Sequence, residues 1–291
     1  MLGLITCFFN PTNSQVLKRN YADFRKRLNF PVTTVELAFF DQPFFIEDSI
    51  KIRGNNSHIM FQKERLLNIA LDSLPDSIDK VAWLDADIIF YNPNWYRDTE
   101  VALDQFPVVQ LFEEVIESTP GQELVKQSFG IGKIIQTQGS KRDWSEGLVK
   151  IGMGWAAQRK ILKKGFFDRH ILGSGDRLFL NACMSWWDCP RIQWLPPRLR
   201  KEFLDWGLTI SNNVHGRVGF IKGKIQHLPH GSTKGRAYEK RSQILVKAQF
   251  NPETDIYVDD NGAYKFTSAN PELMHDILLY FSRRNEDRIE Q

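Results

Sequence analysis

The sequence is poor in cysteine: its 291 residues include only Cys7, Cys183 and Cys189, which are far apart. Thiols this few and this scattered exclude a disulfide framework and a cysteine-based zinc site, and they favour a reducing compartment. The amino terminus lacks a basic segment followed by a long apolar one, and no stretch approaches the roughly 18 apolar residues of a membrane-spanning helix. The sequence therefore predicts a cytoplasmic protein with no signal peptide and no membrane span.

Repeats and low-complexity linkers are also absent, and 42% hydrophobic with 25% charged residues is typical of an ordinary globular chain. We predict a single domain. The net charge of +3 hides an uneven distribution, because residues 150–250 hold 19 Lys or Arg against 6 Asp or Glu. Such a basic region indicates an anionic ligand, for example a nucleoside diphosphate, an acidic glycan or nucleic acid; the alternative is a solvated basic face.

Two aspartates interrupt an apolar run of strand-like composition, Val81–Phe90. Side chains two positions apart on a strand point the same way, so Asp85 and Asp87 would lie about 7 Å apart on one face. Burying two like charges costs several kcal/mol unless a cation offsets the cost, which predicts a divalent metal site. The alternative is a strand that ends at Leu84 and leaves both aspartates in a solvated turn. The apolar residues 88–90 resume the run and favour the metal site.

The run from Trp83 to Ile88 resembles the Asp-x-Asp motif of GT-A-fold glycosyltransferases, in which carboxylates hold a divalent metal against the diphosphate of a nucleotide sugar. The resemblance implies a GT-A-like, Rossmann-like α/β fold with a mostly parallel central sheet flanked by helices. Alternating strand and helix patterns also favour a parallel α/β sheet. The predicted elements are strands at Leu2–Phe9, Pro31–Phe39 and Val108–Phe112, and helices at Ser14–Leu28, Phe61–Leu74, Tyr238–Phe250 and Pro271–Arg284.

The loop after the first predicted strand is a candidate donor site, because ligands of open α/β sheets bind beyond the carboxyl ends of the strands. By resemblance to the nucleotide-binding half of GT-A enzymes, Phe8, Asn10 and Asn13 would contact the donor. Arg65, on the helix before the aspartate run, and Asp85 would line the same crevice. The alternatives are a simple turn at Asn10 and a solvated Arg65.

A glycine-rich segment, Gly173-Ser174-Gly175-Asp176, opens a predicted helix. The glycines let the backbone approach a ligand, and a carboxylate near a helix amino terminus stays ionised, so Asp176 can act as a general base on a hydroxyl. With Trp155 before it, the segment resembles the acceptor segment of inverting GT-A enzymes of the galactosyltransferase type, which carry Gly-Gly-Glu-Asp with the aspartate as base. Here Ser174-Gly175 replaces Gly-Glu, so one carboxylate carries over. The alternatives are Asp176 as a helix cap, and Trp155 as core rather than a surface that stacks on a sugar.

Two histidines near the end of the basic region, His227 and His230, are candidate metal ligands. GT-A enzymes often take their third metal ligand from such a late histidine. The resemblance points to His230, with His227 as the second choice, as the residue that completes the site begun by the two aspartates. Lys234 and Arg236, in the glycine-containing segment that follows, would pair with the donor phosphates.

The predicted activity is transfer of a sugar from a nucleoside diphosphate sugar, in first place a UDP-sugar, to a hydroxyl of a glycan or of a hydroxylated DNA base. It would use Mn²⁺ or Mg²⁺ and invert the anomeric carbon. Residues 1–110 would bind the donor, 145–245 would complete the metal and acceptor sites, and 246–291 would form a helical extension. Residues 113–144 would form a mobile acceptor loop. The alternatives are a metal-dependent phosphohydrolase or nuclease and a nucleic-acid-binding protein.

Overall fold

A computed structural model describes residues 1–117, 126–139, 148–231, 233–237 and 241–287. The strands within these ranges are β1 (Leu2–Phe9), β2 (Thr33–Phe39), β3 (Ser49–Gly54), β4 (Lys80–Leu84), β5 (Ile88–Phe90), β6 (Val108–Gln110), β7 (Glu114–Glu117), β8 (Lys126–Gly130), β9 (Val149–Lys150), β10 (Gly154–Gln158), β11 (Val218–Phe220), β12 (Lys224–His227), β13 (Ile256–Val258) and β14 (Tyr264–Phe266).

The α-helices in the same ranges are α1 (Gln15–Arg27), α2 (Lys63–Ser73), α3 (Trp95–Gln105), α4 (Ile131–Gln138), α5 (Gly175–Cys183), α6 (Pro190–Gln193), α7 (Pro197–Val214), α8 (Thr233–Arg236), α9 (Ser242–Lys247) and α10 (Pro271–Arg283). Short 3₁₀ turns cover Asn56–His58 and Arg159–Leu162. In this described part of the chain, no helix combines the length and the apolar character needed to cross a bilayer.

Seven strands form the central sheet in the order β11-β6-β10-β4-β1-β2-β3. Strands β4, β1, β2 and β3 run parallel, as do β6 and β11, whereas β10 lies antiparallel between β4 and β6. Helix α2 packs on β1 and β2, and α3 and α4 pack against β6. The prediction of an α/β fold with a mostly parallel central sheet flanked by helices is confirmed.

Local apolar periodicity accounts for the helices that border the cleft described below. Helix α2 buries Leu66, Leu67, Ala70 and Leu71, which are the residues expected to face inward. Each leucine buried in this way contributes about 1.5–3 kcal/mol relative to an exposed one. Helix α1 begins after Ser14, whose hydroxyl accepts a hydrogen bond from the backbone N–H of Leu17. Both helices therefore begin and end within two residues of their predicted bounds.

A second sheet of five short strands has the order β5-β12-β7-β8-β9. The chain leaves the central sheet at Leu84 and enters the second sheet at Ile88, with a turn at residues 85–87 between them. The predicted single strand across this region is therefore wrong. The alternative of a solvated turn is also inexact, because the side chains of Asp85 and Asp87 are only 29% and 16% exposed.

The region 113–144, expected to be an irregular mobile loop, has regular structure over most of its described residues. Strands β7 and β8 pair antiparallel, and α4 follows directly at Ile131. Residues 118–125 and 140–147 lie outside the described residues, so the prediction of mobility stays a prediction for them. The helix expected at 238–250 is shorter, since α9 covers Ser242–Lys247 and residues 238–240 also lie outside the described part.

Candidate functional site

A cleft of about 940 Å³ opens at the carboxyl ends of β1 and β4, where the central and second sheets meet. The turn after β4, the segment that opens α5 and the residues that follow β12 form its walls. The last described residues of the chain close one side of it. Among the residues that line it are Phe8, Asp85, Asp87, Asp176, His230 and Glu286.

Asp87, His227 and His230 converge at one end of the cleft. Strand β12 pairs antiparallel with β5 so that His227 is the partner of Ile88, and the backbone N–H of Leu228 donates to the carbonyl of Asp87. This pairing places Nε2 of His230 2.9 Å, and Nε2 of His227 3.5 Å, from Oδ2 of Asp87. Potential ligand atoms of all three residues lie within 4.8 Å of one another.

A glutamate lies against the far ring nitrogen of each histidine. Nδ1 of His230 is 2.9 Å from Oε2 of Glu286, and Nδ1 of His227 is 3.7 Å from Oε1 of Glu117. Burial raises the pKa of Glu286, but the hydrogen bond with His230 and the charge of Arg284 outweigh it and lower this pKa to about 2. Such carboxylates fix the tautomer and orientation of a histidine, and here they direct both Nε2 atoms towards Asp87.

The three residues fit a divalent cation. Oδ1 of Asp87 is buried without a hydrogen-bond partner among the described residues. A buried polar oxygen without a partner destabilises the fold unless a ligand binds it. Burial raises the pKa of Asp87, but His227 and His230 lower it well below its usual value, so the carboxyl group is anionic. Two imidazoles and one carboxylate form a donor set suited to first-row divalent metals.

Asp85 does not join this group. Its Oδ1 lies 2.6 Å from Nζ of Lys63, and its Oδ2 accepts a hydrogen bond of 3.1 Å from the backbone N–H of Met153. The turn at residues 85–87 directs the two aspartates towards different neighbours, which the assumption of an extended strand could not show. Of the ligand set expected from the sequence, Asp85 with Asp87 and His230, the structure groups Asp87 and His230 with His227, the second choice, and not with Asp85.

Lys63, which no sequence motif marked, connects two carboxylates across the cleft. Its Nζ lies 2.6 Å from Oδ1 of Asp85 and 2.9 Å from Oδ2 of Asp176. Burial lowers the pKa of Lys63, but the charges of Asp176 and Asp85 outweigh it and raise this pKa well above its usual value. The ammonium group therefore stays charged. Lys63 is the first residue of α2, and its position at the cleft follows from the packing of that helix on β1 and β2.

Asp176 lies in the first turn of α5 and faces the cleft. The helix is preceded by Ser174, which has a left-handed backbone conformation with φ of 72°. Asp176 is thus not the N-cap residue, which argues against the capping alternative. A Cβ atom on Gly152 would lie 3.0 Å from Oδ2 of Asp176, so that carboxylate fits closely between a glycine and Lys63.

Among the predicted donor contacts, the structure places Phe8 in the cleft wall, where it packs edge-on against Tyr21 with ring centroids 5.3 Å apart. Asn10 is buried, and its side chain exchanges two hydrogen bonds of 2.8 Å with the backbone of Ser14. Asn13 accepts a hydrogen bond from Lys18 at the surface. Asn10 and Asn13 therefore stabilise the loop before α1, which favours the alternative interpretation of this segment as a simple turn.

Arg65 and Trp155 are bound elsewhere. Arg65 donates to the carbonyl of Gly262 at 2.6 Å and lies 3.5 Å from Asp168, and it is not among the residues that line the cleft. Trp155 is fully buried on β10 and donates to the carbonyl of Ile151 at 2.7 Å. A sugar cannot stack on a face with no exposed surface, so the core alternative for Trp155 holds.

Arg236 is in the cleft wall and donates to the backbone carbonyl of His230. The side chain of Lys234 lies outside the described residues. Sequence patterns gave no signal for Glu286 or Glu117, because each matters only through a histidine brought to it by tertiary folding.

Comparison with solved structures gives distant similarities. These include TarS of S. aureus, with 12% identity and a TM-score of 0.42 over 84% of this chain and 38% of that chain. A Drosophila β1,4-galactosyltransferase 7 mutant, in complex with manganese, UDP-Gal and xylobiose, has 11% identity and a TM-score of 0.42 over 94% and 98%. Glucosyl-3-phosphoglycerate synthase from Mycobacterium tuberculosis, in complex with Mn²⁺, UDP and phosphoglyceric acid, has 11% identity and a TM-score of 0.38 over 86% and 76%. No protein-family model and no curated protein matches the chain. With similarities this distant, function has to be inferred from the cleft itself.

Proposed function

We propose that this protein is a metal-dependent glycosyltransferase that moves a sugar from a nucleoside diphosphate sugar, in first place a UDP-sugar, to an acceptor hydroxyl. The observation that supports it most is the pairing, in one cleft, of a three-residue cation site with an oriented carboxylate. The cation site consists of Asp87, His227 and His230. The oriented carboxylate is that of Asp176, which Lys63 holds in place.

The cation would be Mn²⁺ or Mg²⁺, held by Asp87, His227 and His230. Two imidazole ligands favour Mn²⁺ over Mg²⁺, which prefers oxygen ligands alone. Bound there, the ion supplies positive charge for the departing diphosphate. The guanidinium groups of Arg236 and Arg284 line the same end of the cleft and complement the negative charge of the phosphates.

Asp85 and Phe8 would contact the rest of the donor. Phe8 is part of the wall after β1 and offers an apolar surface there. Asp85 lines the cleft and shares Lys63 with Asp176, and its carboxylate would accept hydrogen bonds from donor sugar hydroxyls. In this arrangement Phe8, Asp85 and Asp87 come from residues 1–110 and most of the remaining site from 145–245, with Arg284 and Glu286 added from the last segment.

Asp176 would remove the proton from the acceptor hydroxyl as its oxygen bonds to the anomeric carbon and the diphosphate leaves. Lys63 orients this carboxylate through its contact of 2.9 Å. Attack by the deprotonated hydroxyl on the face opposite the diphosphate inverts the anomeric carbon. A two-metal phosphohydrolase would need a second group of ligands, and the described residues contain one such group.

A thermal-shift screen tests this proposal. The purified protein is heated with UDP-, GDP-, CMP- and dTDP-sugars, each with and without Mn²⁺. A ligand that binds only the native state raises the melting temperature, so we expect one nucleotide to stabilise the protein only with metal. Asp87→Ala should abolish that shift. No shift with any nucleotide, together with a strong shift on adding DNA or RNA, would support the nucleic-acid-binding alternative instead.

A further inference from the structure

The carboxyl group of Glu64 fills the space beside Asp176 that a side chain at position 175 would occupy. A Cβ atom built on Gly175 would overlap the Glu64 carboxyl group and lie 2.7 Å from its Cγ. Gly175 is not among the glycines with positive φ, whereas Gly173 has φ of 80°. Gly175 is therefore required for the close approach of Glu64 and not for an unusual backbone conformation.

Glu64 lies at the same end of the cleft as Asp176. It is the second residue of α2, next to Lys63, and only 8% of its surface is exposed. Both Glu64 and Asp176 line the cleft. Burial raises the pKa of Glu64 to about 7; the charge of Lys63 opposes this and that of Asp176 adds to it. Near neutral pH such a carboxyl group can either donate or accept a hydrogen bond.

The two carboxyl groups reach the cleft from different helices, Glu64 from α2 and Asp176 from α5. Two carboxyl groups on separate elements thus face one end of the cleft.

We propose that Glu64 and Asp176 bind two neighbouring hydroxyl groups of the acceptor, which is therefore a sugar or another polyol and not a base with one hydroxymethyl group. The inference rests on the proposed transferase function. Asp176 takes the proton of the reacting hydroxyl, whose oxygen forms the new bond to the anomeric carbon as the bond to the diphosphate breaks. Glu64 hydrogen-bonds to the adjacent hydroxyl and stays unchanged.

The test measures sugar transfer with Mn²⁺ and the UDP-sugar that stabilises the protein. The acceptors are methyl glycosides of common pentoses and hexoses, their monodeoxy analogues, and DNA containing hydroxymethylcytosine. We expect transfer to a glycoside and none to the DNA. Glu64→Ala should lower transfer by about 10- to 100-fold, the value of a hydrogen bond to a charged group, with UDP affinity unchanged. With the wild-type protein, the deoxy analogue that lacks the adjacent hydroxyl should be glycosylated more slowly than the parent glycoside by the same factor. Glu64→Ala should not slow transfer to that analogue any further.

A relocation variant separates this role from a structural one. In Glu64→Ala with Gly175→Asp, the new carboxyl group is one bond from Cβ and enters the space that Glu64 has left. It should regain much of the lost transfer, whereas Gly175→Asp alone should lose activity through the clash. Asp72→Asn, an exposed change on the same helix, is the matched control.

Four results would overturn the inference. They are full transfer activity in Glu64→Ala, preferred transfer to DNA with hydroxymethylcytosine, and an equal effect of Glu64→Ala on the parent glycoside and on its deoxy analogue. The fourth is a folded double variant that is no more active than Glu64→Ala. If the protein transfers sugar to none of the glycosides, we would measure hydrolysis of the donor, in which water between the two carboxyl groups takes the place of the acceptor hydroxyl. Hydrolysis reduced by Glu64→Ala and restored in the double variant supports the pair, and unchanged hydrolysis overturns it. A wild type that binds no nucleotide with Mn²⁺ contradicts the transferase proposal itself.

Discussion

Nε2 of His230 lies 2.9 Å from Oδ2 of Asp87, although the two residues are far apart in the chain. This contact is the reason for proposing different roles for the two aspartates. We expect both Asp87→Ala and His230→Ala to reduce Mn²⁺ affinity strongly, because each would remove a proposed metal ligand. Asp85→Ala should retain Mn²⁺ binding, measured by calorimetry without nucleotide. Equal loss of Mn²⁺ in Asp85→Ala and Asp87→Ala would restore the ligand set first expected from the sequence.

Glu286 should act on the metal through His230. Glu286→Gln keeps the shape of the side chain but removes the charge that fixes Nδ1 of His230, and loss of such a partner typically costs about 10- to 100-fold in metal affinity. The measurement is Mn²⁺ titration followed by electron paramagnetic resonance. Glu272→Gln, on the exposed first turn of α10, is the control and should change nothing. Unaltered affinity in Glu286→Gln would show that His230 needs no such support.

Asp176 should be needed for chemistry and not for donor binding. Asp176→Asn removes the proton acceptor while preserving the size of the side chain, and loss of a general base typically lowers turnover by about 10²- to 10⁴-fold. Binding of UDP with Mn²⁺, measured by calorimetry, should stay within a few fold of wild type. A parallel loss of nucleotide affinity would assign Asp176 to the donor site.

Trp155 should contribute to stability alone. Removal of a fully buried tryptophan side chain leaves a cavity, so Trp155→Ala should lower the free energy of unfolding by about 3–5 kcal/mol in urea titrations. Trp194→Ala is the matched control, because Trp194 is 69% exposed and should cost little. Trp155→Phe, which retains a ring in the core, should keep the acceptor KM of wild type. A raised acceptor KM in that folded variant would point to a sugar contact.

His170 should make the protein sensitive to acid. It is 4% exposed, and burial together with the charge of Arg241 lowers its pKa to about 4. The unfolded chain, with an ordinary histidine pKa of about 6.5, then binds more protons than the native state between pH 6.5 and 4. Stability from this residue is full above pH 6.5 and falls by about 3 kcal/mol as the pH drops to 4.

The measurement for His170 is urea unfolding at several pH values, with EDTA present to remove metal effects. His170→Phe should lose this part of the pH dependence and retain the rest. Identical slopes for the two proteins would mean that His170 is already neutral, or equally charged, in both states.

Local patterns in the sequence predicted four of the seven strands of the central sheet, β1, β2, β4 and β6, and missed β3, β10 and β11. The strand Leu2–Phe9 and the inward face of α2 follow from apolar periodicity, which depends on neighbouring residues only. The break after Leu84 could not be read in this way. Both sides of the break are apolar, and the second sheet forms by pairing short strands that are distant in sequence.

The candidate site was predictable to the extent that chemistry is carried by residue type. Asp87, Asp176 and His230 stood out because carboxylates and histidines in apolar or glycine-rich surroundings need an explanation. Lys63 and Glu64 did not, because on a helix surface their types are ordinary. Their importance comes from contacts with residues more than a hundred positions away, which no spacing rule encodes.

The turn at residues 85–87 has a consequence for how this protein could change over evolution. Asp85 follows the last residue of a central-sheet strand, whereas Asp87 precedes the first residue of a strand in the other sheet. The proposed cation ligands thus belong to one sheet, whereas Lys63, Glu64 and Asp176 lie on helices packed on the other. If the proposed transferase function is right, mutagenesis confined to α2 and the start of α5 should yield descendants that glycosylate new acceptors with the donor and the metal of their parent.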